Sequence, residues 1–247
     1  MREARFSDLP ALKALWQVCF HDPADWIGRF FEQLGREIRV FTDESCRCMV
    51  IALPCEWRGR RAAYLYAVCT APEARGKGLC SGLLRFAENA LAADGCSYAI
   101  LSPAEPSLFD FYGTRGYQTA FYCEKQRFPA SGSAAAASSV PPERYAALRM
   151  VKSADAVRFP LPLLAWQASQ GTLLALPHGC AAVERTDSGF FCRELLSDDP
   201  EADGAAICRL LGLTEIKAVL PGNAPHGMVK PLDGSPVSPG FLGLTFE

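Results

Sequence analysis

The chain has only three histidines and no Cys-x-x-Cys pair in its 247 residues. A structural zinc site draws on closely spaced thiolates and imidazoles, so the sequence offers no metal centre. Basic charge is not in excess either. The 25 Lys and Arg against 27 Asp and Glu give a net charge of −2, and no positive field points to nucleic acid. No apolar run reaches the length of a membrane span. The first ten residues, MREARFSDLP, are charged and lack the apolar stretch of a signal peptide. These absences predict a cytoplasmic protein without a membrane or nucleic-acid partner. Two familiar phosphate motifs are missing as well. Gly76-Lys77 is followed by Gly78 rather than Ser or Thr, and Ala71 stands where a P-loop needs its first glycine. Gly76 and Gly78 begin a G-x-G-x-x-G pattern, but Ser81 occupies its third glycine position.

What is present is an ordinary globular composition, 49% hydrophobic and 21% charged, in a chain long enough for one large domain or two small ones. Eleven cysteines are many, and their number is odd. Several lie in apolar stretches and read as reduced, buried small hydrophobes. His21, His178 and His226 are scattered near turn residues and read as loop or surface histidines.

The segment Ala67 to Leu84, AVCTAPEARGKGLCSGLL, carries the strongest local signal. A strand-like run ends at Pro72. A short loop with Arg75, Gly76, Lys77 and Gly78 follows, and an amphipathic helix begins at once. Unpaired N–H groups and the positive end of the dipole make a helix start an anion site. Glycine lets the backbone come close to a ligand, and Arg75 and Lys77 add full charges. Arg75, Gly78 and Cys80 match R-x-x-G-x-[GA] except at the last position. This resembles the coenzyme A pyrophosphate loop of the GNAT superfamily of N-acetyltransferases.

Periodicity supplies the context for that loop. Arg2 to Phe6 reads as a first strand, and Ser7 as the cap of a helix through Phe20. Ala24 to Leu34 reads as a second helix ending at Gly35. Strands follow at Ile38–Thr42, Cys48–Leu53 and Ala62–Thr70, with a turn at Arg58–Arg60. Helix Leu79–Leu91, strand Tyr98–Leu101, a short helix Leu108–Tyr112 and a long strand Tyr117–Phe128 complete the half. The order β-α-α-β-β-β-α-β-α-β is similar to that of GNAT proteins. The resemblance implies an α/β (α+β) fold with a mixed, mostly antiparallel sheet flanked by helices.

Residues 129–142, PASGSAAAASSVPP, read as a linker between a domain at 1–128 and another at 143–247. In the second half, helices are predicted at Arg144–Phe159, Leu163–Ala168 and Glu201–Leu211. Strands are predicted at Thr172–Leu176, Ala181–Glu184, Gly189–Leu196, Ile216–Leu220 and Gly240–Phe246. The order again resembles a GNAT half. Ser197, Asp198, Asp199, Glu201 and Asp203 stand where a phosphate loop would be, and their charge would repel a pyrophosphate. A tandem of one active and one degenerate half resembles the enhanced intracellular survival (Eis-like) acetyltransferases. Those usually carry a further sterol-carrier-like domain, for which these 247 residues leave no segment.

The resemblance implies a site and a chemistry. Backbone N–H groups of Arg75, Gly76, Lys77, Gly78, Leu79 and Cys80 would surround the pyrophosphate of acetyl-CoA. Val68 and Thr70, at the end of the fourth strand, would offer N–H groups to the thioester and pantetheine. Phe111-Tyr112-Gly113-Thr114-Arg115-Gly116-Tyr117 resembles the signature whose tyrosine is the general acid, which makes Tyr112 the catalytic candidate and Tyr117 a structural residue. Glu105, Asp22, Asp25 and a water chain are open candidates for the base. Trp26, Phe30 and Phe31 are either walls of the acceptor site or core. The implied activity is acetyl transfer from acetyl-CoA to a primary amine of a small molecule or peptide. The alternative is a non-catalytic acyl-CoA-binding or regulatory module.

Overall fold

The computed structural model describes residues 1–130 and 136–246, and these form two compact units. Unit 1 is Met1–Gln118 with Met228–Val237, and unit 2 is Thr119–Gly227 with Ser238–Glu247. The expected boundaries were contiguous, at 128 and 143. Unit 1 instead takes Met228–Val237 from the far half of the sequence, and that segment interrupts unit 2.

Unit 1 begins with strand β1 (Arg2–Glu3), shorter than expected, because Phe6–Asp8 turns into a single 3-10 turn. Helix α1 (Leu9–Phe20) is therefore capped at Asp8, and Ser7 lies inside the turn. Helix α2 (Ala24–Leu34) follows, then β2 (Arg39–Thr42), β3 (Cys48–Trp57) and β4 (Arg60–Thr70). Helix α3 (Leu79–Ala93), β5 (Tyr98–Leu101) and α4 (Pro106–Gly113) continue the chain. The strands lie in the order β1-β2-β3-β4-β5, antiparallel except for the parallel β4–β5 pair. Residues Met228–Pro231 add a further antiparallel strand on β5, with Met228 opposite Leu101.

Alternation along β4 divides the core of this unit. Ala63 and Leu65 pack with Leu83, Leu84, Ala87 and Leu91 of α3 on one face. Tyr66 turns to the other face, where its ring centroid is 5.5 Å from Trp16 and 5.8 Å from Phe30. Phe30 is fully buried there and Phe31 nearly so, and both pack in the core. Tyr117 is buried and donates to Glu88 Oε1 at 2.8 Å.

Unit 2 contains β6 (Gln118–Pro129) from Thr119 onward, β7 (Ser138–Ser139), α5 (Pro142–Lys152) and α6 (Leu161–Ser169). Then come β8 (Gly171–Ala175), β9 (Gly179–Thr186), β10 (Gly189–Ser197), α7 (Pro200–Leu211) and β11 (Glu215–Pro221). The order is β6-β11-β10-β9-β8-β7, with β10 and β11 parallel. Two helices follow its first short strand, β7, and a third joins its two parallel strands, so from β7 to β11 unit 2 follows the element order of unit 1 from β1 to β5.

Three expectations change here. Ser138 and Ser139 of the expected linker pair with Ala175 and Leu174, while residues 131–135 lie outside the described ones. The helix from Arg144 stops at Lys152, where Ser153 turns extended at φ −149°, and Val157 N–H beyond it donates to Phe241 O at 2.9 Å. Gly240–Phe246 is not a strand and makes only bridges at Gly240 and Phe241. The terminal strand is β12 (Ala224–Pro231), which no sequence reading marked, and half-buried His226 lies in it.

Candidate active site

Strand β4 carries one residue more than its partner where it nears the loop. Met49 faces Cys69 and Ile51 faces Tyr66, so Val50 opposes both Ala67 and Val68. Ala67 sits at φ 48°, a conformation rare for alanine, and the extra residue turns the strand. On its other edge β4 pairs with β5 only from Ala62 to Tyr64. Beyond that point β4 runs on without β5. Ala71 N–H donates to Arg47 O at 2.8 Å, and antiparallel alternation then directs the Thr70 N–H away from β3. The Thr70 hydroxyl is buried without a hydrogen-bond partner.

A 3-10 turn, Pro72–Ala74, follows. Gly76 and Gly78 take φ 74° and 75°, and a Cβ at either position would meet nothing within 4 Å. The backbone there faces open space in a conformation that side chains resist. Gly78 caps α3 without a side-chain hydrogen bond. The first helical bond runs from Gly82 N–H to Gly78 O, 3.0 Å. Among the described residues the N–H groups of Gly76 through Ser81 therefore lack acceptors, while the Arg75 N–H is engaged by Pro72 O at 3.3 Å.

One cavity of about 550 Å³ joins the two motifs. The loop contributes Arg75, Gly76, Gly78, Leu79 and Cys80, β4 contributes Val68 and Thr70, and α4 contributes Tyr112. Only Lys77 of the expected loop residues does not line it; its ammonium donates to Glu73 O at 3.0 Å. The volume falls in the range of small-molecule sites, roughly 300–1,000 Å³. Tyr112 is buried, and burial pushes its phenol above the ordinary value, with Cys80 adding to the rise and Arg115 opposing it. The phenol is therefore a proton-bearing donor throughout the physiological range.

Arg115, Ser81, Cys69 and Phe111 also line the cavity, and motif reading had not assigned them to it. Arg115 caps the site by lying 3.5 Å from the Phe111 ring centroid while donating to the Phe111 carbonyl. Its position inside the tyrosine signature was the available signal. The expected base candidates are elsewhere engaged or exposed. Asp22 accepts from the Trp16 indole at 2.7 Å, and Asp25 pairs with Arg29 at 2.7 Å. Glu105 is the exposed residue before α4.

In unit 2 the helix α7, which joins its two parallel strands, starts with a side-chain cap. Asp199 accepts from Ala202 N–H at 3.1 Å, and Pro200 has no N–H to offer. Asp203 is buried beside it, accepting from the Ser197 hydroxyl at 2.6 Å. Among the described residues no three His, Cys, Asp or Glu side chains converge as metal ligands, and no helix is long and apolar enough to cross a membrane.

Comparison with curated proteins gave no match. Among solved structures the chain is similar to a GCN5-related N-acetyltransferase from Anabaena variabilis (TM-score 0.71, 15% identity, covering 93% of this chain and 72% of that one). It is also similar to a GCN5-related N-acetyltransferase from Kribbella flavida (TM-score 0.68, 18% identity, 94% and 71% covered). A third, Eis1 from Mycobacterium abscessus, aligns at TM-score 0.60 and 15% identity over 94% of this chain and 73% of that one. Identities this low establish the fold, a mixed and mostly antiparallel sheet flanked by helices. The family model described as Acetyltransferase (GNAT) domain matches residues 1–120. Residues 1–120 thus match the GNAT acetyltransferase domain, and the protein is an acyltransferase.

Proposed function

We propose that the protein moves the acetyl group of acetyl-CoA to a primary amine by direct attack within a ternary complex in the cytoplasm. The observation that carries this is the single cavity shared by the Arg75–Cys80 loop, the end of β4 and Tyr112. In this reading the open N–H groups from Gly76 to Cys80 hold the pyrophosphate, and Arg75 adds charge. The Thr70 N–H and its unpartnered hydroxyl, beside Val68, are donors for the pantetheine arm or the thioester carbonyl. Tyr112 donates a hydrogen bond to the sulfur as negative charge builds on it. Full proton transfer from a phenol near pKa 10 to a thiolate near 8.5 is uphill by about 2 kcal/mol, and burial of Tyr112 increases that. Stabilisation by hydrogen bonding is therefore its main contribution.

Only one coenzyme is expected per chain. The Asp199 cap on α7 is the reason, because it occupies the N–H that an anion would need. Unit 2 then serves as a degenerate GNAT-like half.

The test is thiol release from acetyl-CoA against a panel of small-molecule and peptide amines, paired with calorimetric binding of acetyl-CoA. Binding with turnover on at least one amine supports the reading. Binding without turnover on any amine would make the chain an acyl-CoA-binding or regulatory module. No binding at all would overturn the assignment of the cavity.

A further inference from the structure

Among the described residues the Tyr112 hydroxyl makes no hydrogen bond, so the packing of its ring alone sets where it points. That ring meets two others edge to face. The Phe111 centroid is 5.1 Å away at 86°, and the Tyr117 centroid is 5.6 Å away at 67°. The Arg115 guanidinium covers Phe111. Tyr117 is held from the other side. Its N–H donates to Tyr112 O at 3.2 Å, and its hydroxyl donates to Glu88 Oε1 at 2.8 Å.

Glu88 is a buried residue of α3, and its second oxygen takes a bond from Lys230 Nζ at 2.5 Å. The Lys230 ammonium also lies 5.7 Å from the Tyr117 ring centroid. Its stem passes 3.5 Å from where a Cβ would stand on Gly116. The turn that follows Tyr112 is thus clamped by one lysine and one carboxylate, all within unit 1. Apolar side chains of the same volume would pack such a place about as stably. What charge-assisted hydrogen bonds add is direction, and here they fix the Tyr117 ring against Tyr112.

We infer that Glu88, Tyr117 and Lys230 are positioning residues that aim the Tyr112 phenol at the acyl site. This rests on the reading of Tyr112 as the hydrogen-bond donor to the coenzyme sulfur. A hydrogen bond weakens steeply as its angle departs from linear, so a small rotation of the Tyr112 ring takes the hydroxyl off its target. Tyr117 blocks that rotation, Glu88 holds Tyr117, and Lys230 holds Glu88. Lys230 belongs to Met228–Val237, so a segment from the far half of the sequence completes the acyl site of unit 1.

The experiment uses the full chain with its tyrosines isotope-labelled at the hydroxyl-bearing carbon for NMR, and Tyr112→Phe assigns the Tyr112 resonance. Thiol release from acetyl-CoA with the fastest amine of the panel gives kcat and KM. Tyr117→Phe keeps the ring and removes only its tie to Glu88, while Lys230→Met removes the ammonium. Both should move or broaden the Tyr112 resonance. Both should lower kcat by about five- to tenfold and leave the KM for acetyl-CoA within about twofold. Lys230→Arg keeps a cationic donor on Glu88 and should recover most of that kcat. In a Tyr112→Phe background, Tyr117→Phe should change kcat by less than about twofold, because no phenol is left to aim. An equal loss in both backgrounds would overturn the inference, as would a Tyr112 resonance that stays in place in Tyr117→Phe. If Lys230→Met fails to fold, Tyr117→Phe decides the matter. If the wild type releases no thiol with any amine, the acetyl-transfer reading falls, and the Tyr112 resonance still shows whether these three residues hold it.

Discussion

The Arg115 guanidinium donates to the Ser81 hydroxyl at 2.7 and 3.0 Å, tying the turn after α4 to the first turn of α3. One motif thus supplies a cation to the helix start of the other. The pair is separated by 34 residues, and neither member had been marked as part of the site.

Arg115→Ala should weaken acetyl-CoA binding by about tenfold, the loss of one charge-assisted contact. Arg115→Lys should recover only part of it, because a lysine cannot stack on Phe111 and fork to Ser81 together. Calorimetry measures both, and the melting temperature of each variant separates binding from fold. Unchanged affinity in Arg115→Ala would remove Arg115 from the coenzyme site.

Arg75→Glu should abolish measurable coenzyme binding, since it puts a negative charge where the pyrophosphate is proposed to sit. Gly78→Ala tests the backbone itself. At φ 75° a Cβ costs about 1 kcal/mol of strain and fills space now open before the N–H groups. Its affinity for acetyl-CoA should fall further than its stability does.

Tyr112→Phe should lower kcat by about a hundredfold while leaving the KM for acetyl-CoA nearly unchanged, since the phenol acts late in the reaction. Its raised pKa also fixes a pH expectation. An acid held above its ordinary value keeps its proton, so activity should show no loss from phenol ionisation up to about pH 10. A basic limb below pH 9 that vanished in Tyr112→Phe would contradict this.

Lys230 donates to Glu88 Oε2 at 2.5 Å, and the Glu88 side chain is only 6% exposed. Lys230→Met leaves that carboxylate with the Tyr117 hydroxyl alone. Unfolding in urea should show a loss of about 2–3 kcal/mol, below the full value for a buried pair because Lys230 is partly exposed. Adding Glu88→Gln should restore part of it.

Burial, reinforced by Lys125, lowers His226 to about 4. Its unfolded value is about 6.5, so between these limits the unfolded chain holds more protons than the folded one. This contribution to stability is complete above about pH 6.5 and is lost as pH falls toward 4. Melting temperature should decline across that window, and His226→Gln should flatten the decline. Asp233, held near 2 by Ser235 and Ser97, titrates below it.

Local chemistry wrote much of this protein into its sequence. The 3.6-residue apolar spacing of α3, the alternation in β4, the glycines at 76 and 78 and the tyrosine at 112 each act within a few residues of themselves. The GNAT element order and the loop were legible for that reason. The partnerships across the chain were not. Nothing in residues 224–231 says that Met228–Pro231 will pair with Tyr98–Leu101, because backbone pairing between distant strands carries no residue code. Gly240–Phe246 has strand-like residues without an available strand to extend, and it stayed irregular beyond two bridges. The same holds at the site. Arg115 on Ser81 and the open edge of β4 arise from groups brought together by packing. The sequence by itself determined most of the helices and strands and the glycine turn at 76–78, since short-range sterics and hydrogen bonding set those. Tertiary structure alone decided which unit each terminal strand completes and which side chains share the cavity, because those follow from burial over separations that no local pattern records.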